Sequence, residues 1–216
     1  LGTQSQWAWH SIPSAVTYSL NDVAKRFESC DETEAPYAIQ HSEGKAGEAT
    51  DVLRANPHRL HLGLVGLILQ KENEETVKLS ELIKIHQQLD LWTGRIESTY
   101  EIEGAPVRVV LYGDQEEDRI AARIESPLIR KGRLKVKFDF PYGKDCHVCP
   151  GYDWDNPNKH ISELVSKDDS SALIKRQLDS TTYFTKIDWT GGVINQAKPH
   201  HFELSPSKED DAFEFT

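Results

Sequence analysis

The 216-residue chain carries a net charge of −10 and a pI near 5.4, with 38% hydrophobic and 28% charged residues. This length can bury a sizeable core without covalent staples, and the acidic balance argues against a nucleic-acid partner, whose phosphates need a basic surface. No apolar run reaches the roughly 18 residues that span a bilayer, the longest being LHLGLVGLIL, so no membrane anchor is expected.

The chain opens LGTQSQWAWH and contains no methionine. The expectation is that a leader has been removed or that this is a stretch of a longer protein. If the opening is extended, Trp7 and Trp9 point to one side and His10 to the other. SLNDVAKRF predicts a short helix, with Ser19 as N-cap and Leu20, Val23, Ala24 and Phe27 on one face. Residues 28–59 are polar and lack a period, which predicts a long loop. At its end Asn56-Pro57-His58-Arg59 and His61 precede the apolar stretch LHLGLVGLIL. In a strand His58 and His61 would face opposite sides, which argues against a shared metal. Arg59 suits either an anion or one of the many carboxylates.

LSELIKI predicts a turn of helix before the strand IHQQLDLWTG. Period-2 alternation follows. Ile96, Ser98, Tyr100 and Ile102 share one face, with Glu97, Thr99, Glu101 and Glu103 on the other. Gly104-Ala105-Pro106 turns the chain, and Val107, Val109 and Leu111 continue the apolar face. Ile120, Ala122 and Ile124 repeat it until Ser126-Pro127, and Leu134, Val136, Phe138 and Phe140 repeat it again. The interleaved Arg133, Lys135 and Lys137 read as a solvent face. These four strands predict an antiparallel meander. With SALIKRQL and TYFTKIDW added, strands recur at roughly 10-residue spacing, which predicts a sandwich or barrel.

A second loop excursion is expected over 141–171. Within it, Cys146-His147-Val148-Cys149 is a C-x-x-C. Zinc needs two further ligands of suitable type, and a redox pair needs a thioredoxin-like βαβ context; a local disulfide or two free thiols is the favoured reading. Asp153-Trp154-Asp155-Asn156-Pro157-Asn158 fails the calcium-loop pattern, because its sixth and twelfth positions hold Asn158 and Leu164. Trp154 is expected either in the core or, with Asp and Asn around it, against a sugar ring. G-x-S-x-G, H-E-x-x-H and G-x-x-x-x-G-K are absent. Carboxylates abound, but spacing singles out no catalytic pair. No catalytic residue, metal ligand or cofactor is therefore assigned.

Leu89-Asp90-Leu91-Trp92-Thr93-Gly94-Arg95-Ile96, the later ESPLIRKGRLKVKFDFPYG, the opening LGTQSQWAWHSIP and NPHRLHLG together carry a resemblance. Over residues 1–165 or so, the chain resembles the N-terminal β-sandwich (supersandwich) domain of the six-hairpin glycosidases. These are inverting glycoside hydrolases and phosphorylases, among them maltose and kojibiose phosphorylases. The resemblance implies a sugar-processing, bacterial, periplasmic or secreted parent whose catalysis belongs to an (α/α)₆ barrel outside these residues. No catalytic residue carries over, and the CHVC loop departs from the pattern.

The expectation is therefore a mainly all-β chain: one large antiparallel β-sandwich over 1–216, with long loops and one or two short helices, forming the non-catalytic portion of a carbohydrate-active enzyme. Its partners would be an oligo- or polysaccharide and its own catalytic domain. The alternatives are a stand-alone carbohydrate-binding module and a structural or interaction domain. Trp7, Trp9, His10, His58, Arg59 and Trp154 are the sugar-contact candidates, the tryptophans because sugar C–H faces pack on aromatic rings.

Overall fold

The computed structural model describes residues 1–216 except Ser5, Gln6, Ser29, Glu32 and His147. The N-terminal part contains β1 (Gly2–Thr3), β2 (Trp9–His10), β3 (Ala24–Glu28), β4 (Glu34–Ala38), helix α1 (Gly44–Ala55), β5 (His58–Arg59) and β6 (Gly63–Leu69). The middle contains β7 (Ile83–Asp90), β8 (Arg95–Ile102), β9 (Ala105–Gly113), β10 (Ile120–Glu125) and β11 (Leu134–Asp139). The rest contains β12 (His160–Lys167), β13 (Ser171–Leu178), β14 (Thr181–Asp188), β15 (Gly192–Lys198), β16 (His201–Pro206) and β17 (Ala212–Phe215). The fold is all-β.

Two five-stranded antiparallel sheets, ordered β1-β6-β11-β16-β15 and β17-β10-β9-β8-β7, dominate. Alternation decides what lies between them. Leu134, Val136 and Phe138 of β11 join Phe202 and Leu204 of β16 in the core, along with Val107, Ala122, Ile124 and Phe213 from the second sheet. A third sheet, β12-β13-β14, adds Ala172, Ile174 and Ile187 to this core. Polar residues on the opposite face of the second sheet form a ladder of alternating charge across the strands. Arg95 pairs with Glu97, which binds Arg108 at 2.6 Å, which binds Glu125 at 2.9 Å; Glu125 meets Arg123 at 2.8 Å, and Arg123 pairs with Glu214. Bonds from Arg108 and Arg95 hold the Glu97 carboxyl below its ordinary range.

Four expectations need correction, the first being the loop excursion over 141–171, which contains strand β12 paired along β13. The meander consists of β7 to β10, and β11 leaves it. After Pro127 the chain tucks Leu128 and Ile129 into the core and turns at Gly132, whose φ of +66° lies in the left-handed region that favours glycine. It then enters the first sheet between β6 and β16. Alternation states which side chains face inward but not which sheet receives them.

The predicted helix from Ser19 shrinks to a 3₁₀ turn, Leu20–Asp22, where the Ser19 N–H donates to the Asp22 carboxylate at 2.7 Å. Of its expected apolar face Val23 is buried, while Leu20 and Phe27 stay exposed. Ala24–Glu28 instead pairs with β4, and the Phe27 ring sits 6.0 Å from Tyr37.

The segment 28–59, read as loop, contains α1. This helix buries Gly47, Ala49 and Thr50 rather than a stripe of large apolar residues. A Cβ at Gly47 would come within 3.0 Å of the Ser42 carbonyl carbon, so close approach requires a small residue there. The short turn predicted in LSELIKI is present as Leu79–Glu81.

Candidate functional site

The opening segment docks through a very short ribbon. β2 pairs with β5 in the register Trp9↔Arg59 and His10↔His58, and the Leu60 N–H donates to the Ala8 carbonyl at 2.8 Å. Asn56 clamps the next turn, its side chain accepting from the Ile12 N–H at 3.0 Å and donating to the Ile12 carbonyl at 2.8 Å. Alternation then sorts the side chains. Ala8 and His10 are buried, Ala8 beside Leu60, Tyr142, Leu178 and Tyr183 in a second apolar cluster. Trp7 and Trp9 are about half exposed, at 51% and 53%.

Each outward tryptophan is held in place. The Arg59 guanidinium lies over the Trp9 ring, 4.7 Å from its centre, a cation–π arrangement. The Trp7 indole N–H donates to Asp118, and its ring meets Tyr183 edge-on at 6.1 Å. The loop after β11 runs alongside: Gly151 approaches the Arg59 carbonyl, and Asp153 forms a bridge with Tyr142. Trp154 lies in this loop, its ring 5.9 Å from Tyr152, which is in turn 5.9 Å from His61. The expectation of Trp154 in the core is corrected, since 44% of it is exposed. Asp153 is committed to its own turn, accepting from the Asp155 N–H and the Asn156 amide. Five of the six residues singled out in the sequence thus lie on or beside one ribbon, with Trp7, Trp9 and Arg59 outside and His10 and His58 beneath, while Trp154 is reached through Tyr152 and His61.

Beneath the ribbon, His10 Nδ1 lies 3.0 Å from the Thr181 hydroxyl. Its Nε2 is 3.1 Å from Asp179 Oδ2, off the line of a good hydrogen bond. The same Oδ2 accepts from the Tyr142 hydroxyl at 2.7 Å. Burial lowers the His10 pKa, against the opposing pull of Asp179. The His58 ring packs edge-on to His10 at 5.4 Å, and both of its nitrogens are buried without a hydrogen-bond partner among the described residues. Burial, and then the neighbouring His10, lower its pKa as well. His61 turns to Tyr152 rather than to His58.

Sequence reasoning missed a second buried cluster that abuts this one. Arg176 is fully buried and binds neutral acceptors: the Ile161 carbonyl at 2.9 Å, the Pro141 carbonyl at 3.1 Å, His160 Nδ1 at 2.8 Å and the Ser162 hydroxyl. His160 stacks on His200 with ring centres 3.6 Å apart and touches the Tyr142 ring. Burial and the adjacent guanidinium push the His160 pKa down to about 3, so it stays neutral and accepts. A signal was present in SALIKRQL, where Ala172, Ile174, Arg176 and Leu178 share the inward parity. An arginine at an inward position needs buried acceptors.

Cys146 and Cys149 form a disulfide, and Cys30 is free and exposed. His147, between them, lies outside the described residues. Among the described residues no group of three or more histidine, cysteine or acidic side chains is placed to hold a metal, and no helix is long and apolar enough to cross a membrane.

No family model matches the chain, and no curated protein matches it. Among solved structures it is similar to a chain described as "Putative kojibiose phosphorylase from human microbiome". The two are 12% identical with a TM-score of 0.46, and the alignment covers 73% of this chain. The chain spans 22% of that protein's length.

Proposed function

We propose that this chain is the non-catalytic β-sandwich portion of a carbohydrate-active enzyme that cleaves glycosidic bonds with inversion. In this reading it contacts an oligo- or polysaccharide through the rim formed by Trp7, Trp9, Arg59 and Trp154. The observation that carries it is the placement of Trp7, Trp9 and Arg59 on or beside one ribbon, with Trp154 reached through Tyr152 and His61. Held, half-exposed indoles offer apolar faces to sugar C–H groups, and the guanidinium beside them offers hydrogen-bond donors to hydroxyls. The catalytic groups belong to a helical (α/α)₆ domain outside these residues, and the parent works in the periplasm or outside the cell. A Cys146–Cys149 disulfide suits such an oxidising compartment.

One feature favours a portion of an enzyme over a stand-alone binding module. Every residue of the edge strand β7 is exposed, and the turn after it carries Leu91 and Trp92 at 88% and 91% exposure. An apolar edge of this kind fits packing against a neighbouring domain. The test is a glycan array probed with this chain, together with a hydrolysis assay on the glycans retained. Selective retention without hydrolysis is expected. Robust hydrolysis by these residues alone would overturn the reading, as would an array without signal.

A further inference from the structure

The ribbon that holds Trp9 rests on the buried His10 imidazole and on the half-buried His58, whose two ring nitrogens are both out of solvent. β2 and β5 contribute two residue pairs to their ladder, one of them His10↔His58. The two rings meet edge-on at 5.4 Å, and the Gly143 backbone is pressed against both. A Cβ there would lie 2.6 Å from His58 Nε2 and 3.1 Å from His10 Cδ2.

We propose that His58, packed on His10, makes the β2–β5 ribbon an acid-released latch: protonating His58 drives the ribbon off the sandwich and frees Trp7 and Trp9. The groups that face the pair decide the sign. Asp179, on the turn between β13 and β14, contacts His10 and compensates a charge there, while sharing its oxygen with the Tyr142 hydroxyl. Thr181 of β14 offers His10 a neutral hydroxyl. His58 has no such support. Around it lie His10, the Gly143 backbone and Asp145, whose attraction acts without a hydrogen bond; the Tyr142 ring, under the Lys159 ammonium, packs on His10. Arg176 lies further off, reached through Tyr142 and the neutral His160. An imidazolium at His58 would therefore be a buried cation with two N–H groups unpaired and a second imidazole alongside, which is costly.

Burial lowers both pKa values below the 6.5 of a free imidazole. The open ribbon thus binds more protons than the closed one, and closure is fully present above pH 6.5 and weakens as pH falls below it. For His58 alone the opening equilibrium rises as pH falls below 6.5, by at most about tenfold per pH unit, until the closed-state pKa is reached.

The test is hydrogen exchange on the whole chain between pH 7.5 and 5.0, with protection factors corrected for intrinsic rates. The Leu60 amide reports the ribbon, and β11 amides serve as the internal reference. Protection at Leu60 is expected to fall several-fold by pH 5.0 while β11 holds, and His58→Gln should flatten that fall. An equal fall in His58→Gln, or none in the native chain, overturns the latch. Should His58→Gln not fold, an NMR titration of the native His58 ring decides. A midpoint clearly below 6.5 supports the latch, and one at or above 6.5 overturns it.

Discussion

Two sets of charged and polar side chains in this molecule do opposite things with similar residues. The ladder from Arg95 through Glu97, Arg108, Glu125 and Arg123 to Glu214 lies in water, and every guanidinium in it meets a carboxylate. The cluster under Tyr142 is buried, and its arginine meets none among the described residues; the two terminal nitrogens of Arg176 donate to carbonyls, a hydroxyl and a histidine lone pair, while its Nε is left without a partner there. In water, pairing changes little, because solvent already stabilises both charges. In the interior each acceptor matters, because no water replaces a lost donor. The region rich in salt bridges is thus the forgiving one, and the region nearly without them holds the candidate site in place.

The sharpest way to break this contrast is Arg176→Met. It leaves Pro141, Ile161, Ser162 and His160 without their donor and should destabilise the chain by about 3–5 kcal/mol in urea unfolding. Asp179→Asn should cost less, about 1–2 kcal/mol, since it removes only the charge beside His10 and Tyr142. It should also lower the His10 pKa further in an NMR titration, because the opposing pull of the carboxylate is gone. Glu125→Gln, in the middle of the ladder, should leave the thermal midpoint within error of the native value. A loss as large as that of Arg176→Met would show that the ladder, and not the buried cluster, is the structural constraint.

Much of this contrast was legible in the residues. The parity of Glu97, Arg123 and Glu125 against Ile96, Ile124 and Ala122 reveals a charged face and an apolar one before any coordinates. Trp9 opposite His10 follows from the same rule within β2, whereas Trp7 precedes the strand across a turn that the Trp9 N–H closes on the Trp7 carbonyl. What parity could not reveal was pairing at a distance. Leu134, Val136 and Phe138 read identically whichever sheet accepts β11, and α1, packed through Gly47, Ala49 and Thr50, has no stripe to detect. Asp179 and Tyr142 reach His10 only because a hairpin turn and a loop more than a hundred residues later fold back onto the ribbon. Arg176 was visible as an inward-parity arginine, but its acceptors were not.

The most direct measurement of the central claim is calorimetric titration of an array-selected oligosaccharide into the native chain and into the Trp7→Ala, Trp9→Ala double variant, with unfolding midpoints recorded alongside. Loss of the binding heat in a variant that still unfolds cooperatively is the predicted result. Unchanged affinity in the double variant would contradict the account, since the sugar would then be held elsewhere than at the β2–β5 rim.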